Sequence, residues 1–255
     1  MATIDPYSVS TVPIEMYFND TPLSLGTSFI WEKDNRHFLI TNWHNVSGKS
    51  AATGKHLSTT AAEPNWLHAW MNHKSGLGNK FPCIIEILDA NGHPVWWVHP
   101  KFGRSIDVVA IPIVPNENAA MYAINQMPNE QLALMVGMDV FILGYPFGLG
   151  PSGLPIWKRG SIASEPEIFS DTQQFMLVDA ASRPGMSGSP VIRRSWGTHF
   201  LAEGGVTMNA GVETMFVGIY SGRLATNDTS DPQLGLTWPA NLVEQIIAGA
   251  QIEPR

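Results

Sequence analysis

At 255 residues the chain can form one large all-β unit or two smaller ones sharing an interface. An apolar fraction of 44% against 15% charged residues supplies a sizeable core and excludes extended disorder. A net charge of −7 with no run of Lys or Arg argues against a nucleic-acid partner, and Cys83, the one cysteine, leaves no internal disulfide, which fits a reducing compartment.

The opening MATIDPYSVS lacks the basic and apolar regions of a secretory signal. No apolar run reaches the roughly 18 residues that a membrane span needs. A soluble, cytoplasmic, monomeric protein without a membrane partner is therefore expected, and the sequons at Asn45 and Asn227 carry no weight in that setting. Short apolar segments separated by Gly, Pro, Asn and Asp clusters predict β-structure. Residues 14–18, 26–31 and 38–41 read as the first strands, with His37 as a solvent-facing partner at a strand start. His44 follows directly, in the stretch TNWHNV (41–46). Residues 47–80 lose the alternation, so Trp66, His68, Trp70 and His73 read as a loop packed on the barrel by its tryptophans. No acidic or Cys residue stands in ligand register with them, so no metal site is expected. Strands resume at 83–88 and 95–99 across Asn91-Gly92, a dipeptide suited to the positive φ of a tight hairpin. Cys83 reads as a small buried hydrophobe. Asp107 then leads straight into the apolar run DVVAIPI (107–113), which closes the first unit.

Residues 115–131 are polar and proline-bounded, the expected linker between two units. A strand at 139–145 opens the second. Residues 148–153 formally match G-x-G-x-x-G, but Pro151 and the strand-like run 156–162 deny the helix that a dinucleotide site requires. A further strand is expected at 175–178, and then comes RPGMSGSPVI (183–192). Gly185 and Gly188 permit a tight turn that exposes the Ser187 hydroxyl and lets the Gly185 and Ser187 amides point at one spot. Alone, the stretch also fits a surface turn between strands. Residues 216–220 read as another strand, and PANLVEQIIAGA (239–250) as a helix with Pro239 at its first position and Leu242, Val243, Ile246 and Ile247 on one face.

What decides the reading of the turn is the company it keeps: a histidine, an aspartate and a serine in the order His44, Asp107, Ser187. With these three motifs the sequence resembles the trypsin/chymotrypsin superfamily of serine peptidases across residues 26–223, most like the bacterial glutamyl endopeptidases and HtrA-type proteases. The resemblance implies an all-β fold of two six-stranded β-barrels with a C-terminal α-helix packed on the second. Residues 1–120 would carry His44 and Asp107, and residues 121–255 would carry Ser187. It implies a serine endopeptidase acting on a protein or peptide substrate with no metal or organic cofactor. Ser187 would form the acyl-enzyme, His44 would move the proton, Asp107 would orient the imidazole, and the Gly185 and Ser187 amides would hold the oxyanion. The chain departs from the zymogen pattern at Met186, where trypsin-type precursors carry an aspartate. Met186 is expected to pack in apolar surroundings, with no N-terminal processing required.

By the same resemblance the acyl-side pocket runs from Ala181 and Ser182 to the facing stretch Tyr220, Ser221, Gly222 and Arg223. Ala181 at the pocket base leaves a substrate cation unpaired, so cleavage after Lys or Arg is not expected. A small or apolar residue is expected there. An acidic one comes second, through Ser182 and Arg223, because Tyr220 stands where glutamyl endopeptidases carry a histidine. An esterase of the α/β-hydrolase type is a poor fit: its elbow is G-x-S-x-G with the order Ser, acid, His, whereas here Ser189 takes the last position and the order is reversed. Two alternatives stay open, a catalytically silent chymotrypsin-type fold used for binding, and a protease restricted to itself or to one partner.

Overall fold

The computed structural model describes residues 4–76, 78–168, 174–224 and 233–254. A single helical turn, α1 (Pro6–Ser10), is started by Pro6 and by the Asp5 carboxylate, which accepts from the Tyr7 amide at 3.0 Å. Strand β1 (Thr11–Phe18) turns Val12, Ile14 and Met16 inward in strict alternation and pairs with β2 (Thr21–Lys33). β2 returns as β3 (Arg36–Thr41) through Asp34 and Asn35, whose φ values of 52° and 58° are those of a two-residue hairpin turn. β3 then delivers the chain into the short helix α2 (Trp43–Ser47).

The tryptophan-rich stretch is a strand, not the expected loop. β4 (Trp66–His73) pairs with β1 and with β5 (Lys80–Glu86), turning Leu67, Ala69 and Met71 into the core. Trp66, His68 and Trp70 alternate with them on the other face, where Tyr17 stacks on Trp66 at 4.3 Å and His68 Nδ1 stands 3.6 Å from the Glu15 carboxylate. Large rings on the outer face mask the period of two that the inner face obeys. Cys83, on β5, is half-buried rather than buried. Asn91-Gly92 makes the expected turn, with Gly92 at φ 77° and Leu88 bridged to Pro94. Its two flanks nevertheless leave for different neighbours, since β6 (Trp97–Val98) pairs with β7 (Val109–Ile113), which pairs with β3. Inside the stretch read as a linker, β8 (Ala119–Ala120) still adds to β4.

The second body closes on itself. β9 (Asp139–Gly144), β10 (Ile156–Ile162), β11 (Met176–Asp179), β12 (Pro190–Phe200), β13 (Val206–Arg223) and β14 (Leu234–Pro239) form a six-stranded barrel in the order β10-β11-β14-β13-β12-β9. Pro239 ends β14, so the helix α3 (Asn241–Gly249) begins two residues later than its proline suggested. Its buried face is the expected Leu242, Val243, Ile246 and Ile247. Those side chains share one cluster with Trp31, Phe38 and Val108 of the first body and with Phe216 and Trp238 of the second, so α3 fills the junction instead of resting on the second barrel alone. After it, β15 (Gln251–Ile252) pairs with β6 and completes the first sheet, ordered β15-β6-β7-β3-β2-β1-β4-β5 with β8 on β4. The two-body all-β architecture with a C-terminal helix is thus present. The first body, however, is a nine-stranded sheet, eight strands along one path with β8 beside β4, rather than six in a ring, and its three additions (β6, β8 and β15) are too short to carry a periodic signal. Among the described residues no helix is long and apolar enough to cross a membrane.

Candidate active site

Because β3 runs directly into α2, His44 sits just past the sheet edge. The Asn42 side-chain amide donates to the Asp107 carbonyl at 2.7 Å and fastens α2 to the segment entering β7. Across that joint the Asp107 carboxylate accepts the His44 backbone amide on Oδ1 at 2.9 Å and faces His44 Nδ1 from Oδ2 at 2.7 Å. Two contacts fix both the place of the ring and its tautomer, which leaves Nε2 without a proton. The Ser221 hydroxyl on β13 donates to the same Oδ2. Ser221, expected on the pocket wall, thus holds the aspartate. Asp107 is only 5% exposed, and these donors are what make burial of its charge tolerable. Burial opposes charging of the His44 imidazole, but the charge and hydrogen bond of Asp107 outweigh it and hold the imidazole pKa above the ordinary histidine value.

Ser187 comes from the other body. Its turn rests on Gly185 at φ 94° and Gly188 at φ 85°. A Cβ would lie 2.4 Å from the Tyr145 carbonyl oxygen at the first and 2.0 Å from the Thr27 carbonyl oxygen at the second, so neither position admits a side chain. The turn is tied to the first sheet by Thr27, whose N–H donates to the Ser187 carbonyl at 2.8 Å and whose hydroxyl donates to the Gly185 carbonyl at 2.7 Å. Asn45, the neighbour of His44, adds an amide contact to the Ser187 carbonyl at 3.3 Å. Gly222, the neighbour of Ser221, lies against Ser187: a Cβ there would be 3.6 Å from Ser187 Oγ. His44, Asp107 and Ser187 therefore converge at the junction of the two bodies. Among the described residues the Ser187 hydroxyl makes no hydrogen bond to His44, so the proton path is not closed in this conformation.

The amides of Met186, Gly188 and Ser189 donate to the carbonyls of Arg183, Tyr220 and Met186. Those of Gly185 and Ser187 donate to no acceptor among the described residues. Two such amides on one turn are the donors that an oxyanion requires. Met186 is fully buried in the core of the second barrel, as expected of it.

In the acyl-side pocket, Ser182 is buried and accepts from the Tyr220 hydroxyl at 2.5 Å. The Arg223 guanidinium donates to the Ser182 carbonyl, with its Nε 3.4 Å from Ser182 Oγ. Ala181, expected at the pocket base, is exposed at the surface. The buried place is taken by the Tyr220 ring, which lies so tightly over Gly235 that a Cβ there would meet it at 2.2 Å. Three contributors were missed in the sequence: Thr27, Asn42 and Asn45. The two asparagines bracket His44, which was the available signal. Asn45 is 3% exposed and bonded to Thr41 Oγ1 at 2.9 Å, leaving no room for a glycan; Asn227 lies outside the described residues.

Residues 26–198, more than half of the chain, match the family described as trypsin-like peptidase domain. Among solved structures, the serine endoprotease of Yersinia pestis is similar with a TM-score of 0.53 at 15% identity, over 95% of this chain and 63% of that one. The Rv3671c protease of M. tuberculosis in its active form is similar with a TM-score of 0.50 at 18% identity, over 97% of this chain and 83% of that one. The chain thus spans less than two thirds of the Yersinia protein, and both likenesses are of fold. No curated protein matches the sequence.

Proposed function

The chain belongs to the trypsin-like peptidase family, and on that premise we propose that it is a serine endopeptidase with Ser187 as nucleophile, His44 as general base and acid, and Asp107 as the group that orients His44. The observation that carries this reading is the two-point hold of Asp107 on His44, made beside a glycine-shaped turn whose Gly185 and Ser187 amides have no acceptor among the described residues. In the reactive arrangement the Ser187 hydroxyl lies at His44 Nε2, which removes the proton as Oγ attacks the scissile carbonyl. Negative charge develops on the carbonyl oxygen and is met by the Gly185 and Ser187 amides, each donor of this kind being worth about 10²–10³ in rate. His44 then returns the proton to the leaving amine, and a water repeats the sequence on the acyl-enzyme.

On the acyl side the pocket suits a small or apolar residue, because the Tyr220 ring fills the buried space. Arg223 beside Ser182 supports an acidic residue as the second choice. A non-hydrolytic binding role draws on one observation, the missing hydrogen bond between Ser187 and His44. A fluorophosphonate probe separates the two readings, since only an activated serine reacts. Labelling that maps to Ser187 and disappears in His44→Ala supports the peptidase. Absence of labelling in the folded wild-type protein, with no cleavage of a positional-scanning peptide library, refutes it.

A further inference from the structure

A second cavity adjoins the nucleophile turn, and the chemistry described above makes no use of it. It holds about 280 Å³, the size of a side chain rather than of a cofactor. Its walls include Leu25 and Gly26 of β2, Trp70 of β4, Lys80 at the start of β5, and Tyr145 and Gly150 beyond β9. These segments also brace the turn. Thr27, next to Gly26, holds the Ser187 and Gly185 carbonyls, and the Tyr145 amide donates to Thr27 Oγ1 at 3.2 Å. The Phe147 amide, two residues on, donates to the Pro184 carbonyl at 2.8 Å. None of these walls is shared with Ser182 or with Tyr220 to Arg223, which take the other flank. If that flank receives the acyl side of a substrate, this cavity faces the leaving side.

Among the described residues its one cationic wall residue is Lys80. The ammonium is 3.4 Å from the Thr11 carbonyl oxygen, 3.5 Å from that of Trp70 and 5.8 Å from the centre of the Tyr145 ring. Among the described residues no carboxylate lies within ion-pair distance of it. Glu15 lines the same cavity, but its carboxylate accepts from the Tyr17 hydroxyl at 3.1 Å and stands 3.6 Å from His68 Nδ1. The Tyr145 hydroxyl is occupied by the Thr11 and Gly153 carbonyls. Burial alone pushes the Lys80 ammonium down to about 8, the expected behaviour of a desolvated cation with no counter-charge. Carbonyl contacts compensate poorly for lost hydration, so a carboxylate entering here gains a short charge-assisted hydrogen bond at little further desolvation cost to the lysine.

We propose that this cavity is a leaving-side subsite in which Lys80 recognises a substrate carboxylate, carried either by an acidic side chain or by the end of the cleaved chain. The proposal rests on the peptidase reading, and its test separates the two. Internally quenched peptides with one fixed acyl side are compared with Ala, Glu or Lys at each of the first three leaving-side positions, and with free or amidated C-termini. Wild type should prefer one carboxylate-bearing set roughly tenfold or more in kcat/KM over Ala, and disfavour Lys. The arm that shows the preference identifies the source of the carboxylate. In Lys80→Met the ratio of acidic to alanine substrates should fall to about one, while Lys80→Arg, which keeps the charge, should retain part of it. Binding is followed independently by titrating wild type and Lys80→Met with Ala-Glu-Ala peptides, free and amidated, in a calorimeter. Binding that is lost in Lys80→Met, without any cleavage, sustains the subsite and removes the peptidase reading. Cleavage without a charge preference in wild type, a preference that survives in Lys80→Met, or the absence of both cleavage and peptide binding overturns the subsite.

Discussion

Replacing Gly188 by alanine tests whether the nucleophile turn is held by contact with the first sheet. The new Cβ would stand 2.0 Å from the Thr27 carbonyl oxygen and 2.5 Å from Thr41 Oγ1, at a backbone φ of 85°. The left-handed conformation costs a non-glycine residue about 1–2 kcal/mol, and relieving a clash in a packed interior costs about 1–3 kcal/mol more. A loss of roughly 2–5 kcal/mol follows, which corresponds to a fall of about 4–20 °C in Tm for a chain of this size. Thr27 cannot yield locally, since its N–H holds the Ser187 carbonyl at 2.8 Å and its carbonyl accepts the Thr41 hydroxyl at 2.8 Å. Strain at Gly188 must therefore displace Ser187. Gly197 supplies the control, having φ 72° but nothing within 4 Å of an added Cβ. Gly197→Ala should show the conformational cost alone, roughly 1–2 kcal/mol, with fluorophosphonate labelling unchanged. Thermal unfolding and labelling of both variants provide the readout. If Gly188→Ala matches Gly197→Ala in Tm and labels at the wild-type rate, the argument from the close approach is wrong.

Ser187→Ala and His44→Ala should each lower kcat by on the order of 10⁴–10⁶-fold, and the double variant by no more than either alone, as measured on a common peptide substrate. Activity requires neutral His44, and Asp107 raises its pKa, so the acid limb of kcat/KM should have its midpoint above 6.5. Asp107→Asn should move that midpoint down and lower kcat by roughly 10⁴-fold, and a profile unchanged by the substitution would separate the two residues functionally. The Glu253 carboxylate accepts from Trp43 Nε1 at 3.0 Å, and burial raises its pKa above the usual 4.5. A raised pKa means that its protonated form favours the fold: that contribution is full below 4.5 and lost as pH rises through the higher native value. Glu253→Gln should therefore raise Tm at neutral pH and leave it unchanged near pH 4, whereas a lower Tm at pH 7 would contradict the burial argument.

The parts of this molecule that were legible in the sequence are those in which a short string carries its own physical reason. RPGMSGSPVI announces a glycine-shaped turn, TNWHNV places a histidine at a strand end, and the apolar face of α3 follows from spacing alone. The strands at 26–31 and 156–162 alternate or run apolar, and they formed. β4 did not look like a strand, because its outward positions hold Trp66, His68 and Trp70 instead of polar residues, so hydrophobicity stops marking which side faces the core. The surroundings of Ser182 were hidden for a different reason. Counting back from Ser187 gives positions along the chain, but which of Ala181 and Ser182 turns inward depends on the Tyr220 ring, and that ring comes from a strand 38 residues beyond Ser182. Lys80 gave no signal at all. A lysine ahead of a strand reads as solvated until the fold brings Thr11, Trp70 and Tyr145 around it.

Neither body holds the candidate site on its own, which bears on how its geometry is maintained. His44 and Asp107 lie on the first sheet and Ser187 on the second barrel, yet each is anchored by residues of the other. Thr27 and Asn45 hold the Ser187 carbonyl from the first body, while Ser221 of the second holds the Asp107 carboxylate. The chain ends reinforce the crossing. The Asp5 carboxylate meets Arg194 of β12 at 2.6 Å, and the Tyr7 hydroxyl donates to the Pro128 carbonyl at 2.5 Å. At the other end α3 fills the junction, β15 joins the first sheet, and Glu253 reaches Trp43, the residue before His44. Sliding of one body against the other would break the Thr27, Asn45 and Ser221 contacts together. Each is worth about 0.5–1.5 kcal/mol net as a neutral hydrogen bond and more where the Asp107 charge takes part. The two bodies are thus coupled through the turn that carries Ser187 and through the Asp107 carboxylate that holds His44.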